Sequence, residues 1–164
     1  MYLAEALAER AEAQRRYTQI AQRVTNFARV QEGDSPEEDP QALLKEATEL
    51  LKHIEVLVQR INRTNVVTKF NEQTTLADAL IHRDTLNKQR QLYTQLADAA
   101  SQRQDRYGRS EIKYVATVNV KELRAEADRA AKEFRLLDTR IQQLNWLTEV
   151  VDWNLRRREK EKEN

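Results

Sequence analysis

The stretch from Asp39 to Ile61, DPQALLKEATELLKHIEVLVQRI, decides the fold class. Leu43, Ala47, Leu50, Ile54, Leu57 and Ile61 recur at alternating spacings of four and three, with Leu44, Leu51 and Val58 in a row beside them. That period places one broad apolar stripe on a helix and fits no strand, whose faces alternate every second residue. The start is marked as well. Asp39 offers a side-chain acceptor to free amides of the first turn, and Pro40 suits a position that needs no donor and has its backbone angle already set. This helix has the widest apolar face in the chain and is expected to be the most buried.

Working outward, the same period recurs on both sides. Leu3, Ala6, Ala13, Tyr17, Ile20, Val24 and Phe27 form a stripe broken only at Arg10, whose aliphatic stem can lie along the seam with its head in water. The expected helix runs from about Tyr2 to Ala28. Thr75 with Asp78 three residues on resembles a capping box, and opens a third helix reaching roughly Gln104. Its stripe is poor, since His82 or Arg83 and Gln89 or Arg90 interrupt Ala79, Leu86, Tyr93, Leu96 and Ala100, so this helix is expected to face solvent, a polar network or another subunit. Asn119 and Glu122 cap a fourth, in which Leu123, Ala127, Ala130, Phe134, Leu137, Ile141 and Leu144 make a coiled-coil-like seam. Both prolines and Gly33 fall within Gln31 to Pro40, and Gly108 is the other breaker, so the punctuation agrees with the period.

The expected fold is therefore all-α: an elongated antiparallel four-helix bundle, with short extended segments at Val66 to Phe70 and Ile112 to Val118, where residues that prefer extended backbone gather. Residues 1–157 read as a single helical-bundle domain and 158–164 as a charged, frayed tail. With the fourth helix taken from Val120 to about Arg157, its length is about 55 Å against about 40 Å for the first. The apolar end at Trp146, Leu147, Val150 and Trp153 then overhangs its neighbours and reads as the contact of a homo-oligomer. The alternative is that this helix bends, or that loops fold over its end.

Composition excludes several classes. Across 164 residues, 28 Lys and Arg stand against 27 Asp and Glu, so the net charge of +1 does not suit indiscriminate polyanion binding. Cysteine is absent, which removes disulfides, thiolate metal sites and a cysteine nucleophile. No apolar run exceeds the four residues Met1 to Ala4, and Glu5 and Glu9 stand where a secretion signal needs basic residues. The expectation is a cytoplasmic protein with no membrane partner. The interleaved tail from Arg156 to Glu163 lacks the purely basic face of a membrane anchor.

The richest polar run is Ser101 to Lys113, SQRQDRYGRSEIK. Arg103, Arg106, Arg109 and Lys113 surround Tyr107, Gly108 and Ser110, a set able to hold a phosphate-containing ligand or nucleic acid: guanidinium forks match phosphate oxygens, and tyrosine stacks on a base. The competing reading is an ion-pair network, because Asp105 and Glu111 lie within the run and Glu32, Asp34, Glu37, Glu38 and Asp39 lie in a connection expected at the same end of the bundle. Arg63 in INRTN (Ile61 to Asn65) is a second ligand candidate beside residues better suited to capping. Arg140 and Gln143, beside Asn145 and Trp146, suit a polar core layer or an interface.

Catalysis has thin support. The two histidines each follow an acid by four residues, Glu49 with His53 and Asp78 with His82, and one such pair does not close a metal site. There is no nucleophile elbow and no phosphate-cradling glycine loop. For an enzyme, Arg63, His82, Arg106, Tyr107 and Glu111 are the residues to test. No cofactor is implied. The reading that follows is a non-catalytic, oligomeric structural or binding protein.

SQRQDRYGRSEIK, with INRTN at Ile61, RVQEG at Arg29, LDTRIQQLNW at Leu137 and LAEAL at Leu3, resembles the small bacterial proteins labelled septicolysin or septicolysin-like. The resemblance implies a helical protein of unknown function and brings no catalytic residues with it. The label suggests a thiol-activated cytolysin, and this sequence departs from that in having no cysteine and none of the amphipathic strands of a barrel pore.

Overall fold

A computed structural model describes residues 1–102 and 114–151. Among them are four helices, α1 (Leu3–Asn26), α2 (Pro40–Val67), α3 (Leu76–Ser101) and α4 (Val120–Leu147), and no sheet beyond two isolated bridges, Tyr2 with Glu149 and Lys69 with Thr75. The expected all-α bundle class is therefore what the chain adopts. Contacts gather into two compact units: Met1–Thr68 with the chain from Leu144, and Lys69–Gln143.

In the first unit α1 packs against α2, and cross-helix side-chain pairs give the register. Glu9 meets His53 at 2.8 Å, Arg16 meets Glu46 through Nε at 3.0 Å, and Arg23 meets Glu38 through Nε at 2.8 Å. The α1 number rises by sevens while the partner number falls, from His53 and Glu46 on α2 to Glu38 just before it, so the helices run antiparallel. Beneath this ladder lies the seam expected from sequence: Leu3, Ala6, Ala13 and Ile20 are buried on α1, and Leu43, Ala47, Leu57 and Ile61 on α2. Tyr17, Val24, Phe27 and Leu50 pack around Ile20, Leu43 and Ala47. Arg10 is half-buried along the seam, with its Nε shielded from water.

The ends follow local chemistry. The Tyr2 amide donates to the Glu5 carboxylate at 2.7 Å, and the Gln41 amide donates to the Asp39 carboxylate at 2.9 Å with Pro40 in the first turn. Gly33, in the α1–α2 connection, has φ +93°, a left-handed conformation open to glycine without strain. The apolar row beside the α2 seam is narrower than expected, with Leu44 and Leu51 exposed.

The second unit repeats the antiparallel pairing. Arg83 of α3 reaches Asp138 of α4 at 3.2 Å, and Arg124 reaches Asp98 at 3.3 Å. Leu76, Ala79, Leu86 and Ala97 are buried on α3, and Ala127, Ala130 and Ile141 on α4. The Thr75–Asp78 capping box forms as read, with the Thr75 amide donating to Asp78 at 2.8 Å and the Asp78 amide to Thr75 Oγ1 at 3.2 Å. Ahead of it, Asn71 Oδ1 accepts the amides of Gln73 and Thr74 at 2.9 and 2.7 Å. Arg140 lies over the Phe70 ring at 4.4 Å and donates to the Phe70 carbonyl at 3.1 Å, which pins this turn to α4. The role sketched for Arg140 as a polar layer is thus a clamp on a loop.

Two expectations on element ends are corrected. Val66 and Val67 do not begin a strand; they complete α2, where the Thr68 amide still bonds the Thr64 carbonyl at 2.9 Å. Extended propensity is a weak preference, and here the buried face of Ile61 and Thr64 carries the helix onward while Asn62 and Arg63 stay exposed. α4 does not continue to Arg157. It stops at Leu147, and the next four residues leave the helix to bond with the start of the chain.

The carboxyls of Glu38 and Asp78 both sit below their ordinary values near 4.5 and 3.8, Glu38 through its hydrogen bond from Arg23 and Asp78 through the Thr75 amide and then the hydroxyl. A depressed carboxyl contributes stability that is present above its unfolded pKa and is lost as pH falls through its folded one. Urea midpoints followed by circular dichroism are expected to hold from neutral pH down to about 5 and drop below about 4. The Glu38→Gln/Asp78→Asn double variant, less stable at neutral pH, loses less over that fall; an unchanged profile contradicts these assignments.

Candidate functional site

The point of greatest chemical interest in the first unit is where its earliest and latest described residues meet. The Leu3 amide, one of the first-turn donors that α1 cannot satisfy itself, bonds the Thr148 carbonyl at 2.7 Å. The Val150 amide bonds the Met1 carbonyl at 3.0 Å, and the Val151 amide bonds Thr64 Oγ1 at 3.0 Å. Thr64 is fully buried, and its hydroxyl donates to the Arg60 carbonyl at 2.8 Å, so both capacities of the oxygen are used. Thr64 therefore ties α2 to the segment after α4.

Around these bonds stand large apolar side chains in water. Trp146 and Leu147 are 62% and 78% exposed, and Met1, Tyr2, Val66 and Val67 are exposed as well. Their chain segments are those joined by the three hydrogen bonds. Such an end can bind an apolar surface.

The residues proposed for an oligomer contact divide accordingly. Trp146 and Leu147 face solvent, while Val150 is buried within its own unit, because the chain turned back and covered it. Trp153 lies outside the described residues. Residues 148–151 therefore do not prolong α4 as an overhang; they leave the helix and bond Met1, Leu3 and Thr64, while Trp146 and Leu147 stay exposed.

Of the phosphate candidates, Arg103, Arg106, Tyr107, Arg109, Ser110 and Lys113 lie outside the described residues, as does Glu111. Arg63 is exposed near the end of α2, in the first unit, whereas Gln102 and Tyr114, which bracket the basic run, belong to the second. Two of the acids offered as partners for that run are engaged elsewhere, Glu38 with Arg23 and Asp39 with the Gln41 amide. In the second unit a groove of about 300 Å³ lies between Leu96, Ala99 and Ala100 of α3 and Val115, Ala116 and Val118 of the segment leading to α4. Gln102, Tyr114 and Thr117 complete its walls, which are therefore mixed in polarity.

The histidine pairs read from spacing resolve differently. His53 meets Glu9 across the helices rather than Glu49, and Asp78 is held in its capping box rather than by His82. Among the described residues no group of three or more His, Asp or Glu side chains is placed to hold a metal ion. No described helix is long and apolar enough to cross a membrane.

Sequence reasoning treated Thr64 as a terminator in INRTN, although the signal was present. The row Leu43, Leu50, Leu57 reaches Thr64 at its next seven-residue step, and a hydroxyl at a seam position must find a buried partner. Asn145, the other buried polar residue of the described set, follows Ile141 by four on α4 in the same way.

Comparison with known proteins agrees with this fold. The chain is similar to a functionally unknown conserved protein from Corynebacterium diphtheriae whose crystal structure is solved: identity is 60%, the match covers 92% of this chain and 99% of that one, and the TM-score is 0.86. No curated protein matches. The name this structure carries does not include septicolysin. A model of the family of unknown function DUF6847 matches residues 10–150, which span both helical units, and the chain belongs to that family.

Proposed function

We propose that this protein acts without chemistry of its own, as a self-associating helical scaffold, and that copies meet through the apolar end of the first unit. The exposure of Trp146 and Leu147 beside Met1, Tyr2, Val66 and Val67 supports this reading. Burying such surface is favourable by roughly 25 cal/mol per Å². Tryptophan is also enriched at the energetic centres of interfaces. The three segments that carry these side chains are held by hydrogen bonds, so little ordering cost opposes association. The coiled-coil seam, the cytoplasmic setting and the septicolysin-like kinship are parts of the same proposal and rest on the sequence patterns given above.

Native mass by light scattering behind a sizing column, at low and high salt, tests it. The expected result is a multiple of 19.3 kDa that persists in high salt, and collapse to the single-chain mass in Trp146→Glu, which places a charge in the contact. A monomer at both salts, or an unchanged mass in the variant, sinks the proposal. A second reading, a module for a phosphate ligand or nucleic acid built on Arg103, Arg106, Tyr107, Arg109, Ser110 and Lys113, is favoured by the density of cations in that run. Its signature is binding to duplex DNA or inorganic phosphate that falls steeply with salt.

A further inference from the structure

α3 carries apolar residues on the side away from its own core. Leu76, Ala79, Leu86 and Ala97 are buried, whereas Ile81 is 67%, Leu92 60% and Leu96 41% exposed. Ile81, Thr85, Lys88, Leu92 and Leu96 succeed one another at spacings of four, three, four and four, so they lie along one stripe of the helix, about 22 Å from end to end. The stripe runs at Leu96 into the groove shared with Val115 and Val118, where Tyr114 and Val115 are exposed too.

We infer that this stripe is an isologous contact between two copies of the chain, α3 against α3 and antiparallel, with Ile81 of one level with Leu92 of the other. The stripe is its own complement under a two-fold axis, which is what a symmetric contact requires. Charge selects the register. In an antiparallel pair, residues on one side of the stripe meet residues on that same side of the partner. With Ile81 level with the partner subunit's Leu92, Lys88 comes within one residue's rise of the partner subunit's Asp84, and the symmetry makes two such pairs. Sliding by four residues, so that Ile81 meets the partner subunit's Leu96, brings the two Lys88 ammonium groups close to each other across the axis, which opposes that register. The Asp84 carboxylate is accessible for this role: its side chain is 63% exposed, and its one recorded ion pair is with the neighbouring Arg83, which also holds Asp138.

This contact goes beyond the one proposed for the first unit and does not depend on it. A single helix face with three large apolar residues is small for an interface, so the dimer is expected to form and dissociate with concentration, with a dissociation constant on the order of 10–100 µM. Sedimentation velocity from about 5 to about 500 µM brackets that value. In the Trp146→Glu background, where the first contact is disabled, the average mass is expected to rise toward twice that of one chain. Leu92→Glu and Asp84→Lys each weaken association about tenfold or more, and Asp84→Lys/Lys88→Asp, which restores the cross pairs with signs exchanged, returns it to within about threefold of the parent. All these side chains face water, and circular dichroism checks that each variant keeps its helices. Because the chain has no cysteine, Ile81→Cys/Leu92→Cys gives a background-free readout: interchain disulfide dimers on mild oxidation. Association that ignores Leu92→Glu, or a charge exchange that fails to rescue, overturns the inference. Loss in Trp146→Glu but not in Leu92→Glu removes this contact and leaves the first; the opposite pattern removes the first and leaves this one.

Discussion

Leu57→Ala is expected to lower the unfolding free energy by about 2–5 kcal/mol, the range for cutting a large aliphatic side chain out of a closed core. Leu57 is 2% exposed on the α2 seam, seven residues from Thr64 and four from Ile61, which is also buried. The truncation both removes buried methyl groups and leaves a hole that two long helices, joined across by side-chain pairs at His53, Glu46 and Glu38, cannot collapse to fill. Leu51 supplies the control. It lies on the same helix, is exposed, and its replacement by alanine should cost under about 1 kcal/mol. Urea unfolding read by circular dichroism and by tryptophan emission decides it. Equal losses for the two leucines would mean that α2 does not bury the face described.

Thr64→Val is expected to cost about 1–3 kcal/mol although it is nearly isosteric and no less apolar, because the Val151 amide loses its acceptor. Burial of a methyl in place of a hydroxyl favours the variant, so the sign reports which matters more, and the unpaired amide should win. Thr64→Ser keeps the oxygen and should recover most of the loss. Hydrogen exchange adds a local reading: the Val151 amide, slow in the parent, exchanges faster in Thr64→Val by a factor that the serine variant largely reverses. A valine variant as stable as the parent, with Val151 still protected, would show that another group holds that segment.

Fold class was legible because it depends on period, and period survives without any knowledge of partners. The seams of α1, α2 and α4, the caps at Asp39, Thr75 and Asn119, and the half-buried Arg10 all lie where spacing put them. What could not be read depends on contacts far apart in sequence. Val66 and Val67 look extended in isolation and are helical because Ile61 and Thr64 are held on the buried face. The run from Thr148 to Val151 looks like more helix and leaves it because Met1, Leu3 and Thr64 offer its backbone better-placed partners. On α3 the poor core stripe was visible, but the second stripe opposite it was not, since the same leucines serve either face until the packing is known. The candidate site divides in the same way: Trp146 and Leu147 were identifiable as apolar excess, whereas Thr64 reads as a terminator within INRTN and as a buried hydroxyl only once its partners Arg60 and Val151 are placed.

The bond from Leu3 to Thr148 also fixes an order of events during synthesis. The second unit lies wholly between the two stretches of the first, so it is complete before the first can close. At about 5–20 residues per second, the Leu3 amide waits roughly seven to thirty seconds after it leaves the ribosome for the carbonyl that will accept it. Throughout that interval α1 and α2 can pair, but their shared end stays open, with the Thr64 hydroxyl still missing the amide it will accept. α1 is made before α4 yet takes this bond only after it, and nascent chains of this protein should therefore be most exposed to proteases and to capture by chaperones around α1.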